Sequence, residues 1–389
     1  MLRPLIVAFF LLLISGCSTR DDDGGVTLPS NMGENNVVPR IETPTETTNT
    51  APTPQISLAG ISADFERFMT DNRLVGAQVA ITRNEKLVFL ESFGLADREE
   101  SRPVTQNTLF RIASISKPIT LLALSKLINE GKLQLNATVF GPNSLLGTSF
   151  GNLPYEPEEL AITLDDLVEH KAGFSDDPDD VLFSDNGLSL DVLIARVLDE
   201  RSLSSPPGTT FQYSNFGYAL LGKIIENASG MDYETYVRQN ILEPIDINDM
   251  YIAKQKLEER RPNEAIYYSS ASSPYAIDTP RMASSFGWAA SAATLAWIAV
   301  KTDGRFSEND LLAPNTGISY LNRGSWTHNG ALPGTTAILK VGHPFSYVVL
   351  TNSGGANFPV VIDALHNFME KAIEQQSEWP NTNLFQPNK

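Results

Sequence analysis

Hydrophobic and polar positions predict the elements of this chain one after another. Phe65, Phe68 and Met69 recur at helical spacing behind Ser62, a residue suited to cap a helix, so a short amphipathic helix is expected where the body begins near Ile61. Val75 to Ile81 and Leu87 to Phe93 read as strands joined by the turn Arg83-Asn84-Glu85. From about Ser114 a helix runs to Ile128 and stops at Gly131. Its leucines (Leu121, Leu122, Leu124, Leu127) cover more than one stripe, so it is expected to be central and buried. Ile162 to His170 predicts a short helix capped by Thr163 and ended by Gly173, and His170 is placed to meet its last carbonyls. Helices are also expected over Ser189 to Leu198, Ala219 to Glu226, Tyr233 to Leu242 and Ala292 to Val300, whereas Met250 to Tyr275 reads as an irregular lobe or lid. Strands return at Thr335–Val341 and Ser346–Thr351, and an amphipathic helix follows over Val360 to Ile373. Strands at both ends with helices between predict an α/β fold of the α+β kind. One antiparallel sheet would be built from both chain ends, with a mostly helical lobe inserted at about 120–290.

Composition changes this picture mainly at the N-terminus. Arg3 followed by the apolar stretch Leu5 to Ile14 is too short to span a bilayer but has the form of a signal peptide. It ends in Ile14-Ser15-Gly16-Cys17, similar to the lipobox of bacterial lipoproteins, which implies lipidation of Cys17 and, with Ser18 following, an outer-membrane address in a two-membrane bacterium. Cys17 is the sole cysteine, so no internal disulfide or thiol site is expected in the mature body. Residues 18–57 are rich in Asp, Gly, Asn, Thr and Pro and read as a disordered tether. The domain is then expected over 58–376, with a tail at 377–389. The formal charge of −17, without a basic run, argues against nucleic acid as a partner. The four histidines, His170, His328, His343 and His366, form no compact ligand pair, so neither metal nor cofactor is expected. Nothing in the sequence fixes the oligomeric state.

Three polar clusters carry candidate chemistry. Ser114 and Lys117 stand three apart, on one face if the helix has begun, and offer a hydroxyl nucleophile beside an amine able to take its proton. Gly147-Thr148-Ser149-Phe150-Gly151 matches the nucleophile-elbow pattern but lacks the strand and helix that motif requires. Tyr213 and Asn215 precede a strong helix, after a turn made by Pro207 and Gly208. A tyrosine facing an ammonium can have its pKa lowered and act as a base, and an asparagine can serve both the lysine and a substrate amide. The competing assignment is a core tyrosine and a capping asparagine. His328-Asn329-Gly330-Ala331 opens a strand, where Gly330 would let a substrate approach the backbone and the Ala331 amide could join that of Ser114 in an oxyanion hole.

Taken in order, Ser114-x-x-Lys117, Tyr213-Ser214-Asn215 and His328-Asn329-Gly330 resemble the serine beta-lactamase and penicillin-binding family. The similarity is to its class C-like branch, with its D-alanyl-D-alanine carboxypeptidases and esterases. Phe110-Arg111-Ile112-Ala113 and Gly287-Trp288 agree with it, and it covers roughly Ile61 to Ile373. It implies an acyl-enzyme on Ser114, with Lys117 and Tyr213 handling the proton, Asn215 orienting Lys117 and substrate, and Ser114 and Ala331 amides holding the oxyanion. Either Lys117 or Tyr213 can be the base. The departure is His328, where the family commonly carries lysine in Lys-Thr-Gly; it favours a small ester, peptide or peptidoglycan-derived substrate over efficient beta-lactam hydrolysis. A true beta-lactamase and an inactive ligand-binding lipoprotein are the alternatives.

Overall fold

The computed structural model describes residues 58–385 apart from 177–178, 185–186, 306–310, 312–316, 322–323 and 356. The expected signal peptide, Cys17 and the tether lie outside the described residues.

The sheet is organised by β1 (Gly76–Arg83), buried along almost its whole length. It turns into β2 (Lys86–Asp97) through Asn84 and Glu85, whose φ of 48° and 64° give the two left-handed residues of a tight hairpin loop. A short β3 (Arg102–Pro103) borders β2, and β4 (Phe110–Arg111) lies apart from this sheet. Following the helical region, which contains β5 (Tyr251–Ile252), β6 (Tyr268–Ser269) and β7 (Trp288–Ala290), the chain returns as β8 (Trp326–Leu332), β9 (Thr335–Val341) and β10 (Phe345–Thr351). The order is β3-β2-β1-β10-β9-β8, antiparallel throughout, with Val79 opposite Val349 where the two chain ends meet. A short β11 (Ser353–Gly354) pairs in parallel with β6, and β4-β7-β5 form a second small sheet.

One sheet face is covered by α1 (Ala59–Asp71) and, at the far end of the chain, by α10 (Phe358–Gln375), with Phe65 against Phe93 and Phe368 and with Leu365 and Met369 buried. The first helix starts at Ala59, so Ser62 lies inside it rather than capping it. The other face carries the larger core, to which α2 (Ser116–Asn129) contributes Ile119, Leu121, Leu122, Leu124 and Leu127. This helix is buried nearly all round, as its leucine distribution requires.

The inserted lobe comprises α3 (Pro157–Ala161), α4 (Leu164–Val168), α5 (Leu190–Glu200), α6 (Asn215–Ser229), α7 (Tyr233–Val237) and α8 (Ala283–Phe286), followed by α9 (Ala292–Val300) against the sheet. Residues 377–385 do not leave the body: Leu384 N–H donates to Leu87 O at 2.8 Å and the Trp379 ring packs tilted against Phe345, centroids 5.0 Å apart. Ser149 is exposed in a turn flanked by neither strand nor long helix, so the elbow pattern has none of its structural context.

Candidate active site

The nucleophile turn is built before the helix it leads into. Ala113 has φ of 48°, a left-handed conformation that costs an L-residue roughly 1–2 kcal/mol. Ser114 follows in a single 3-10 turn, Ala113–Ile115, and α2 begins at Ser116. The turn is fastened from behind: Ile112 N–H donates to Trp288 O at 3.0 Å, and Trp288 N–H donates to the Ser116 hydroxyl at 3.2 Å. One step earlier, Arg111 N–H donates to the Tyr267 hydroxyl at 2.8 Å. The buried Arg111 guanidinium reaches Pro274 O at 2.6 Å and Lys254 O at 3.1 Å and lies over the Tyr267 ring. Tyr267 in turn donates to Glu264 Oε1 at 2.8 Å. The segment expected to be a lid is therefore tied to the strand preceding Ser114.

Lys117 is buried, and its Nζ lies 3.4 Å from Ser114 Oγ, 2.7 Å from Asn215 Oδ1 and 3.0 Å from Ser285 O. Burial lowers its pKa to about 7, against the opposing pull of Asp176 and Asp180. Nζ also faces the Tyr213 ring at 4.7 Å. Tyr213 lies beside Ser114, and burial pushes its phenol upward rather than downward. The expectation that a neighbouring ammonium would make Tyr213 a base is corrected here: desolvation of a phenolate outweighs the attraction of an amine that is itself half deprotonated near neutrality.

His170 holds Tyr213 from behind. Its ring stacks on Tyr213 at 4.6 Å and on Tyr218 at 4.8 Å, Nδ1 accepts the Ser214 N–H at 3.1 Å, and its carbonyl accepts Gln212 N–H at 2.7 Å. The ring therefore supports the Tyr213 segment instead of capping α4. Burial and Lys117 push its pKa well down, matching a nitrogen that must stay unprotonated to accept. Asn215 is the first residue of α6, capped by Ser214, and its side chain lies between Lys117 and Asp180, with Nδ2 donating to Asp180 Oδ2 at 2.7 Å.

The strand β8 completes the site from the sheet edge. A Cβ on Gly330 would lie 2.3 Å from Ile112 O and 3.1 Å from Ala113 Cβ. Glycine is needed there so that β8 can lie against the nucleophile turn. Gly334, with φ of 75°, closes the two-residue hairpin that pairs Leu332 with Thr335. In an antiparallel ladder alternate residues direct their backbone groups to opposite sides. Thr327 O accepts the Tyr320 hydroxyl at 2.7 Å, so Thr327 and, by alternation, Asn329 and Ala331 address the free edge of the sheet. His328 lies on the same face as Gly330. Its Nδ1 lies 2.9 Å from Asn329 O, and burial followed by the charge of Lys117 lowers its pKa to about 4.

The structure thus gathers Ser114, Lys117, Tyr213 and Asn215 at one point and seats the His328–Ala331 strand against the Ser114 turn. The sequence reading did not single out Ser285, Asp176 or Asp180. Ser285 contributes a backbone carbonyl, which has no residue-type signal. The two aspartates lie in Ser175-Asp176-Asp177-Pro178-Asp179-Asp180, a run that reads as solvated, and their only clue is its place just after Gly173.

Comparison with known proteins shows what the chain is similar to. A family model described as Beta-lactamase matches residues 61–368. Esterase EstB of Burkholderia gladioli is 31% identical, the match covering 49% of this chain and 50% of the esterase. The chain thus spans about half or less of the length of the curated relatives it matches first. Among solved structures, the octameric penicillin-binding protein homologue from Pyrococcus abyssi superposes with a TM-score of 0.64 at 23% identity, over 81% of this chain and 78% of that one. A class C beta-lactamase gives 0.65 at 19% identity, over 84% and 97%. At these identities the likeness is one of fold.

Proposed function

The chain belongs to the beta-lactamase family, and from that premise we propose that it is a serine hydrolase that forms an acyl-enzyme on Ser114 and cleaves a small ester or amide. The observation that carries the proposal is a serine only 5% exposed, its hydroxyl 3.4 Å from a buried amine whose pKa lies at about 7. Half of that amine is neutral at pH 7, enough for a general base, and removal of the proton turns Ser114 Oγ into a nucleophile.

In the proposed cycle Lys117 takes the Ser114 proton as Oγ bonds to the substrate carbonyl. The resulting oxyanion is held by the amides of Ser114 and Ala331, a type of donor worth roughly 10²–10³-fold in rate each. Tyr213, held protonated by burial, donates to the departing alkoxide or amine and is reprotonated from Lys117. Water then attacks the acyl carbonyl, Ser114 leaves as the hydroxyl, and the acid is released. Asn215 keeps one amide hydrogen on Asp180 and has a second for the substrate carbonyl or amide.

The substrate preference follows from charge. His328 stands where the resemblance leads one to expect a lysine, and at a pKa of about 4 it carries no positive charge at neutral pH. Two aspartates lie behind Asn215. A substrate carboxylate therefore finds little to attract it, which favours neutral esters and amides, including D-amino-acid amides and bonds of peptidoglycan-derived peptides away from a free carboxyl end, over beta-lactams. The likeness to an esterase is consistent with this preference. The lipobox at Cys17 and the polar tether supply the reading of place: a lipid-anchored enzyme of the bacterial cell envelope, facing the periplasm from the outer membrane where there are two. Among the described residues no helix is long and apolar enough to cross a membrane.

The test is a hydrolysis panel of p-nitrophenyl acetate and butyrate, nitrocefin and D-alanyl-D-alanine peptides, run on wild type and Ser114→Ala. Ester turnover lost in Ser114→Ala supports the reading. Nitrocefin turnover above ester turnover would make the protein a beta-lactamase, and acylation without turnover would make it a penicillin-binding receptor.

A further inference from the structure

What Lys117 can do with its proton depends on how the Asn215 amide is turned. Among the described residues the lysine nitrogen has hydrogen-bond contacts to Asn215 Oδ1 at 2.7 Å, Ser285 O at 3.0 Å and Ser114 Oγ at 3.4 Å. A backbone carbonyl only accepts. An amide accepts or donates according to which end it presents, and a half-turn exchanges the two. Here the other end is fixed while Asp180 is ionised, because its Oδ2 lies 2.7 Å from Asn215 Nδ2 and an ionised carboxylate oxygen only accepts. Asp176 holds the main chain of the same residue: its Oδ2 accepts the Asn215 N–H at 3.0 Å, and its Oδ1 accepts the Ser214 hydroxyl at 3.4 Å.

Proton accounting then gives the direction of the lone pair. A neutral amine has two hydrogens and one lone pair. With its hydrogens given to Asn215 Oδ1 and Ser285 O, the lone pair is left for the Ser114 hydroxyl. If the amide turned over, its NH₂ would face Lys117 and draw that lone pair away from the serine.

We propose that Asp180, braced by Asp176, is a positioning residue whose carboxylate locks the Asn215 amide and thereby aims the lone pair of Lys117 at Ser114. This rests on the proposed Ser114 acyl-enzyme reading. It adds to that reading two residues that do not touch the substrate and act through Asn215.

The charges of the pair also set where Lys117 titrates. Both carboxylates favour the ammonium form, and burial raises their own pKa values, that of Asp176 to about 7 with the like charge of Asp180 adding to the rise. The other titratable groups facing Lys117 are Tyr213 and Tyr218, both pushed up, and His170 and His328, both pushed down; Arg201 faces Asp180 from the end of α5. Between about pH 5 and 9 these neighbours keep one charge state, so the changes fall on Lys117 and the two aspartates.

The experiment measures the second-order rate of Ser114 labelling by a fluorophosphonate from pH 5.5 to 9.5, with kcat and KM for a p-nitrophenyl ester. The proteins compared are wild type, Asp180→Asn, Asp180→Glu and Asp176→Asn. Asp180→Asn is expected to lower the plateau rate and kcat by about tenfold or more with KM within about twofold, and to move the acid limb to lower pH because a carboxylate that favoured the ammonium is gone. Asp180→Glu should restore the limb, and Asp176→Asn should move it in the same direction with a smaller loss of plateau. A wild-type plateau with an unshifted limb in Asp180→Asn overturns the inference. Should that variant fail to fold, an unshifted limb in Asp176→Asn overturns it. Failure of wild type to label at Ser114 would instead remove the underlying reading, a separate outcome.

Discussion

Gly330→Ala is a one-carbon perturbation whose effect can be worked from distances. The added Cβ would meet Ile112 O at 2.3 Å, whereas ordinary contact begins at 3.4 Å. Because the atom met is backbone, no side chain can swing away, and β8 or the nucleophile turn must move by about 1 Å. Overpacking of this kind costs about 1–3 kcal/mol. A displacement of that size between the Ser114 turn and the strand bearing Ala331 costs roughly 10²-fold in rate. The urea midpoint should therefore fall modestly while the fluorophosphonate labelling rate falls about a hundredfold, measured on protein shown to be folded by circular dichroism. Labelling at the wild-type rate with an unchanged midpoint would show that the strand does not press on the turn, and the reasoning about Gly330 would be wrong.

Four further outcomes are expected. The acylation rate should rise with pH through an apparent pKa of about 7, roughly fivefold or more between pH 6 and pH 7.5, because Lys117 acts as a base only when neutral; a flat profile in stopped-flow burst measurements would contradict this. The same depressed pKa means that the unfolded chain binds more protons than the folded one between about pH 7 and 10.5, so this group's contribution to stability rises with pH over that window. Replacing His328 by lysine should raise nitrocefin turnover relative to p-nitrophenyl ester turnover by about tenfold, the worth of one charge-assisted contact to a carboxylate, and an unchanged ratio would remove charge at 328 as the discriminator. Tyr267→Phe should destabilise by about 2–3 kcal/mol in urea unfolding, since it strips a partner from both the buried Arg111 N–H and the Glu264 carboxylate; a loss under 0.5 kcal/mol would show that the clamp is idle.

The parts of this molecule legible in its sequence are those governed by local rules. Short apolar runs on either side of a tight turn give β1 and β2, and a helix apolar all round gives the burial of α2, because such patterns depend on neighbours a few residues away. Strands at both ends imply a shared sheet, and the pairing of β1 with β10 provides it. Less legible are groups whose role is set by partners far along the chain. His170 is placed by residues more than forty positions later, and Ser285 acts through its backbone. Asp176 and Asp180 sit in an acidic stretch, and only the fold reveals that these two are half-buried against Asn215. Charge balance also escaped the local reading of Tyr213, since burial, a property of the folded state, outweighed its proximity to Lys117.

The account depends most directly on Ser114 becoming covalently acylated. Intact-protein and peptide mass spectrometry after a brief acid quench with p-nitrophenyl acetate should show an acetyl adduct on the peptide containing Ser114, absent in Ser114→Ala and rising with pH in step with the burst. Steady turnover with no adduct on that peptide, or an adduct that persists in Ser114→Ala, would contradict it.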